Sequence, residues 1–267
     1  MDIKNYIAEG KAILGIEFGS TRIKGVLIND GGEVLAVGGY EWENSLVNGI
    51  WTYGEEEFFA GLKGCYASLK KDVADRYGIT LKKLKAIGIS GMMHGYLAFD
   101  KNGKLLAPFR TWRNTCAGEA ANKLTEEFGF NIPDRWSIAH LYQVILDDEA
   151  HVKEVSYFTT LAGYIHTLLT GEKVLGIGEA SGMFPMEGNN YSEIMLDKFD
   201  ALVEGKGYSW KIREILPKVL VAGESAGVLT EDGAKLLDTD GDLEAGIPMC
   251  PPEGDAGTGM VATNSVR

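Results

Sequence analysis

The sequence predicts an α/β domain, a mixed central sheet with flanking helices, and three stretches predict it. Residues 12–16 and 23–29 are short apolar runs joined by a tight polar tip, Gly19, Ser20 and Thr21, and a further run at 34–42 follows the turn Asn29-Asp30-Gly31-Gly32. Runs of that length, broken by glycine-containing turns, make three antiparallel strands. Residues 55–77 then set Phe58, Phe59, Leu62, Tyr66 and Leu69 at helical spacing, with Gly78 placed to end the helix. Residues 84–90 are a β-rich apolar run that stops at the glycine-bounded polar cluster Ser90-Gly91-Met92-Met93-His94-Gly95. The carboxyl end of such a strand is where α/β proteins place their sites.

The first hairpin carries chemistry as well as architecture. Its tip can offer backbone N–H groups and two hydroxyls to an anion, Lys24 adds a cation, and Glu17 on the strand leading in can hold a hydrated metal. It is not a Walker A loop: there is no G-x-x-x-x-G-K-[ST], and the turn leads to a second strand instead of a helix. Taken alone, these residues fit an ordinary hairpin with a surface lysine equally well.

Composition narrows the classes. With 267 residues, 45% hydrophobic and 24% charged, the chain can bury a sizeable core as one large domain or two small ones. A net charge of −12 argues against a nucleic-acid or anionic-membrane partner, which needs clustered Lys and Arg. Cys65, Cys116 and Cys250 are odd in number and widely spaced, as expected of reduced thiols in a cytoplasm. No apolar run is long enough to span a bilayer and residues 1–11 lack a signal-peptide core, so a cytoplasmic location is expected.

Along the rest of the chain, residues 96–100 read as a strand before the turn at 100–103, and 109–114 as a strand ending in the tip Trp112-Arg113-Asn114. Helices are expected at 116–128, 137–146, 161–169, 191–202 and 210–216, and at 230–237 with Thr230 as N-cap. A turn and strand fall at 171–175 and a turn at 178–182. Residues 246–250 look like a strand that delivers the glycine turn 254–259, and a helix is expected to begin at 260–262.

Read together, GIEFGSTRIKG at 15–25 and MCPPEGDAGT at 249–258 resemble the first phosphate loop and the catalytic-aspartate loop of the FGGY carbohydrate kinases. These kinases share a ribonuclease-H-like (actin/hexokinase-like ATPase) fold. Met93-His94-Gly95 is most similar to the xylulose kinases within that family, and the match runs from Ala12 to the end of the chain. The resemblance implies that residues 12–267 are the N-terminal, sugar-binding domain, that 1–11 are an extension, and that the C-terminal nucleotide-binding domain is absent.

What it implies of the site follows residue by residue. Asp255 is the general base and, with Glu17, a Mg²⁺ ligand. Gly19, Ser20, Thr21, Lys24, Gly254, Gly257 and Thr258 hold the ATP phosphates. Met93, His94, Trp112 and Asn114 line the sugar pocket. Family members usually carry aspartate where this chain has Asn114, arginine at Cys116, aspartate at Glu179, and Gln or Asn at Ala256. The implied reaction moves the γ-phosphoryl group of ATP to a hydroxyl of a ketopentose-like sugar or polyol, weakly or not at all in the isolated half. A sugar-sensing module that keeps the fold without catalysis is the alternative. A nuclease using Glu17 and Asp255 is disfavoured by the acidic charge and the aromatic, neutral pocket. The expected partners are a small sugar and the missing kinase domain, and an exposed docking face could drive homo-oligomers.

Overall fold

The hairpin forms at the centre of the molecule. In the computed structural model, which describes residues 2–265, β1 (Ile13–Phe18) pairs antiparallel with β2 (Arg22–Ile28), and β2 with β3 (Val34–Glu41). β4 (Ser45–Val47) and β5 (Ile50–Thr52) make a small separate hairpin. Helix α2 (Glu55–Tyr77) follows and ends on Gly78 in the left-handed region, at φ 63°. β6 (Ala86–Gly91) then lies parallel to β1, so that Glu17 stands beside both Lys24 and Ser90 across the sheet. The order of the central sheet is β13-β6-β1-β2-β3, with β13 (Glu253–Gly254) parallel to β6.

Alternation decides what each face does. Leu14, Ile16 and Phe18 point into the core with Ile23, Leu27, Ile87 and Ile89, under α2 and α5 (Leu161–Thr170). Gly15, Glu17, Lys24, Val26, Gly88 and Ser90 point the other way and line a cavity of about 510 Å³. A second core joins α3 (Gly118–Phe128), α4 (Ser137–Leu146), α7 (Glu193–Val203) and α8 (Ile212–Ile215). Between the cores run β7 (Leu97–Phe99) with β8 (Tyr157–Thr159), while β9 (Val174–Gly176) pairs with β12 (Lys218–Leu220) beside the second core and a small third cluster of Val174, Leu220 and Ala226. The one-turn α6 (Ile177–Ala180), the β10–β11 hairpin (Met186–Glu187, Asn190–Tyr191), α9 (Glu231–Leu237) and α10 (Asp255–Ala262) complete the chain. Thr230 caps α9, its Oγ1 accepting from the Gly233 N–H. Among the described residues no helix is long and apolar enough to cross a membrane.

Several expectations are corrected. Residues 3–8, for which no element was expected, form helix α1, and Ile7 is 1% exposed within the main core. Residues 109–114 make only a bridge, Tyr96 to Arg110, before turning to bond Trp51. Residues 246–250 also make bridges instead of a strand, because Pro248 and the following Pro251 and Pro252 have no N–H to give a ladder. Residues 177–180 are helical where a turn was expected, and the last helix starts at Asp255 itself. Met1, Val266 and Arg267, which end the expected segments 1–11 and 12–267, lie outside the described residues.

Candidate active site

The hairpin tip is fastened from one side. The carbonyls of Gly19, Ser20 and Thr21 accept, in turn, from Trp42 Nε1 at 2.8 Å, the Tyr53 hydroxyl at 2.6 Å and the Trp42 N–H at 3.2 Å. Trp42 and Tyr53 are themselves stacked, with centroids 4.1 Å apart. In a trans peptide the N–H lies opposite the preceding carbonyl, so the Ser20 and Thr21 N–H groups turn away from these rings. That is the arrangement an anion needs. Gly19 departs from the expected phosphate contact: its N–H closes the hairpin on Arg22 O at 3.1 Å, and its part is the turn.

Trp112 reaches the same tip. It is 43% exposed, and its Nε1 donates to Ser20 Oγ at 3.3 Å, which leaves an indole face free to stack on the C–H face of a sugar. Asn114 does not join it. The side chain is 4% exposed, accepts from the Trp51 N–H at 2.8 Å and donates to the carbonyls of Trp51 at 2.8 Å and Thr111 at 3.0 Å. With its amide thus taken up by backbone, Asn114 straps the 111–114 turn to the β4–β5 hairpin instead of touching a substrate hydroxyl.

His94 sits after β6 at φ 68°, a left-handed conformation that costs a histidine energy and marks a constrained position. Its Nε2 accepts from Arg135 Nε at 3.3 Å and its Nδ1 faces Gly182 O at 3.0 Å. An acceptor on each side would be inconsistent, so Nδ1 carries the proton and the ring is neutral. Burial lowers the His94 pKa, the Gly182 carbonyl opposes that, and the Arg135 charge lowers it further. Met93 packs against Gly254, where an added Cβ would lie 2.3 Å from Met93 Cγ.

The aspartate loop is built from carboxylates in two states. Glu253 accepts from the Glu179 N–H at 3.0 Å and so caps α6 from another element. Glu179 is fully buried, neither of its oxygens accepts a hydrogen bond of normal geometry among the described residues, and burial pushes its pKa up to about 8 against the opposing effect of the nearby Thr160 hydroxyl. It is therefore neutral below that range and stands against Gly254, 2.4 Å from where a Cβ would be. Asp255, exposed, opens α10, with Gly254 as N-cap. One turn on, Thr258 Oγ1 donates to Gly254 O at 3.0 Å and lies 3.0 Å from Ser90 Oγ, while Gly257 is exposed. Across the sheet from Ser90, Glu17 meets Lys24 at 3.3 Å.

Carboxylates such as those of Glu17 and Asp255 are the ligand type Mg²⁺ takes, one or two at a time, with water and phosphate oxygens completing its octahedron. Among the described residues no group of three or more His, Cys, Asp or Glu side chains forms a metal cage. Sequence reasoning did not find Trp42, Tyr53, Arg135 or Glu253. Only Glu253, two residues before Asp255, carried a signal of position.

The model for the FGGY family of carbohydrate kinases, N-terminal domain, matches residues 12–261. The chain belongs to the FGGY family of carbohydrate kinases. It is 22% identical over 242 residues to the xylulose kinase of Staphylococcus xylosus, covering 86% of this chain and 47% of that protein. It is 23% identical over 269 residues to the xylulose kinase of Escherichia coli, covering 95% and 50%. Among solved structures, ligand-bound xylulose kinase from Lactobacillus acidophilus superposes with a TM-score of 0.77 at 18% identity, over 95% of this chain and 50% of that one. The chain thus spans about half the length of the FGGY relatives it matches, and its fold is theirs: an α/β, actin/hexokinase-like domain.

Proposed function

We propose that this chain is the sugar-binding half of an ATP-dependent kinase that phosphorylates a hydroxyl of a sugar or polyol of ketopentose-like size. The convergence of the pinned hairpin tip, Trp112, His94 and the Asp255 loop at one end of the central sheet carries the reading. The xylulose kinases named above support the size of the acceptor.

In this reading the sugar stacks on Trp112 with Met93 and His94 beside it. Asp255 accepts the proton of the attacking hydroxyl, a contribution of ~10²–10⁴-fold in rate. Ser20, Thr21 and Lys24 hold the transferring phosphoryl group, helped by the N-terminus of α10 at Gly254 and by Thr258. Mg²⁺ held by Glu17 and Asp255 through water would supply charge neutralisation there. A C-terminal half of the size its relatives carry completes the nucleotide grip, so this half alone turns over weakly or not at all.

Thermal shift against ketopentoses, hexoses and polyols tests the pocket, since a ligand at a hundred times its Kd adds roughly 2.7 kcal/mol. The bound sugar is then assayed for ATP-dependent phosphorylation by the gene product that includes this segment. Asp255→Asn should keep the sugar shift and lose ~10²–10⁴ in turnover. A sugar shift with no ATP-dependent product would favour the sensing module, and no shift with any sugar would sink both readings.

A further inference from the structure

His94 and Trp112 are carried by two segments that meet behind them. Tyr96 and Arg110 form an antiparallel bridge, the Tyr96 N–H donating to Arg110 O at 2.8 Å and the Arg110 N–H to Tyr96 O at 3.2 Å. His94 lies two residues before Tyr96 and Trp112 two residues after Arg110, so in an antiparallel pair both leave the bridge at the same end. The segments touch where they part: a Cβ on Gly95 would lie 2.6 Å from Arg110 O and 2.9 Å from Phe109 Cε2. The bridge therefore sets how far apart His94 and Trp112 stand.

The side chains of Tyr96 and Arg110 close into a ring with two residues from a third segment. The Tyr96 hydroxyl is 3.0 Å from His151 Nε2, His151 Nδ1 is 3.4 Å from Glu149 Oε2, and Arg110 Nη2 donates to Glu149 Oε1. The donors run one way: with the His151 proton on Nδ1, facing the carboxylate, Nε2 accepts from the tyrosine and Glu149 receives one donor on each oxygen. Tyr96 is fully buried, and the Arg110 and His151 side chains are only 10% and 12% exposed, so the ring touches no substrate. Glu149 is itself fixed. Its N–H donates to Val144 O at 3.0 Å at the end of α4, and three residues on Val152 O accepts from Trp210 Nε1 at 2.9 Å.

A buried ion pair is weak evidence for stability, because apolar side chains of similar volume often serve as well. What this pair supplies that apolar residues would not is a fixed direction for Arg110 relative to α4. We propose that Glu149, acting through Arg110 and His151 on the Tyr96–Arg110 bridge, is a positioning residue for the sugar pocket and sets the spacing of His94 and Trp112. This rests on the sugar-kinase reading above and adds to it a residue outside the pocket.

The test compares the native chain with Glu149→Gln and with the double variant Arg110→Met/Glu149→Leu, which strands no charge. Xylulose, ribulose and xylitol are titrated by calorimetry well below each Tm. The indole N–H signal of Trp112, assigned with Trp112→Phe, is followed by heteronuclear NMR. Glu149→Gln should lower Tm, weaken whichever sugar the native chain binds at least tenfold, and shift the Trp112 signal while leaving that of Trp42 in place. The double variant should recover most of the Tm but neither the affinity nor the Trp112 signal, and it decides the matter should Glu149→Gln fail to fold. Affinity that returns with Tm in the double variant would make the pair structural only and overturn the inference. Sugar affinity within twofold of native in Glu149→Gln, or an unmoved Trp112 signal, would overturn it as well, and each of these leaves the sugar-kinase reading intact. A native chain that binds none of the three probes would overturn both.

Discussion

Lys70 offers the sharpest test of how this fold is held. It extends from α2 into the segment after α9, where its Nζ lies 2.8 Å and 3.0 Å from the two oxygens of Asp238, 2.9 Å from Asp240 and 2.7 Å from Asp242. Lys70 is 8% exposed and Asp238 3% exposed. The side chain of Asp240 is 72% exposed and that of Asp242 36%, so solvent screens those two and the Asp238 pair decides the magnitude. Lys70→Met keeps the apolar stem and removes the charge. Breaking a buried pair from one side costs about 3–5 kcal/mol, because the remaining charge is stranded. Asp238 also accepts the N–H groups of Asp240, Asp242 and Leu243, which soften the loss and place the expected value near the lower end, about 3 kcal/mol. At roughly 2–4 °C per kcal/mol for a domain of this size, Tm should fall by about 6–12 °C. Urea denaturation of Lys70→Met, Asp238→Asn and the double variant gives the coupling directly, and the double variant should recover part of the loss. A loss under about 1 kcal/mol would show that the pair behaves as a surface ion pair and would refute the argument.

Two further outcomes bear on the Asp255 loop. Gly254→Ala introduces a Cβ 2.3 Å from Met93 Cγ and 2.4 Å from Glu179 Oε2, so it should cost about 1–3 kcal/mol by overpacking and weaken any sugar-induced thermal shift; an unchanged sugar response would separate Met93 from the pocket. Glu179 has its folded pKa raised from 4.5 to about 8 by burial, so the folded state holds this proton more tightly than the unfolded chain. Stability from this group is full below about 4.5 and drains as pH rises towards 8. Glu179→Gln does not titrate, and urea denaturation should show it gaining on the native protein between pH 5 and pH 8. An equal difference at both pH values would mean that Glu179 is ionised throughout.

The elements that local chemistry specifies were legible in the sequence. The strand–tip–strand–turn–strand order, the helix at 55–77 stopped by Gly78 and the Thr230 cap each depend on residues within a few positions of one another, and each formed as read. The proline-rich approach to Asp255 was misread, because its apolar composition resembles a strand while Pro248, Pro251 and Pro252 withhold the N–H groups a ladder needs. Residue roles in the site divide in the same way. That Ser20, Trp112, His94 and Asp255 belong to one site was suggested by motif, yet what each can do depends on partners far away in the chain. Trp112 reaches Ser20 across 92 positions, Glu253 caps the Glu179 N–H across 74, and Arg135 meets His94 across 41. Asn114 spends its amide on Trp51, 63 positions earlier, and burial raises the Glu179 pKa to about 8 because the packed chain excludes water from it. Periodicity and turn chemistry are local and can be read in order. Hydrogen-bond partners and protonation states are set by desolvation and by which distant residues the fold brings within reach, and only the tertiary structure decides those.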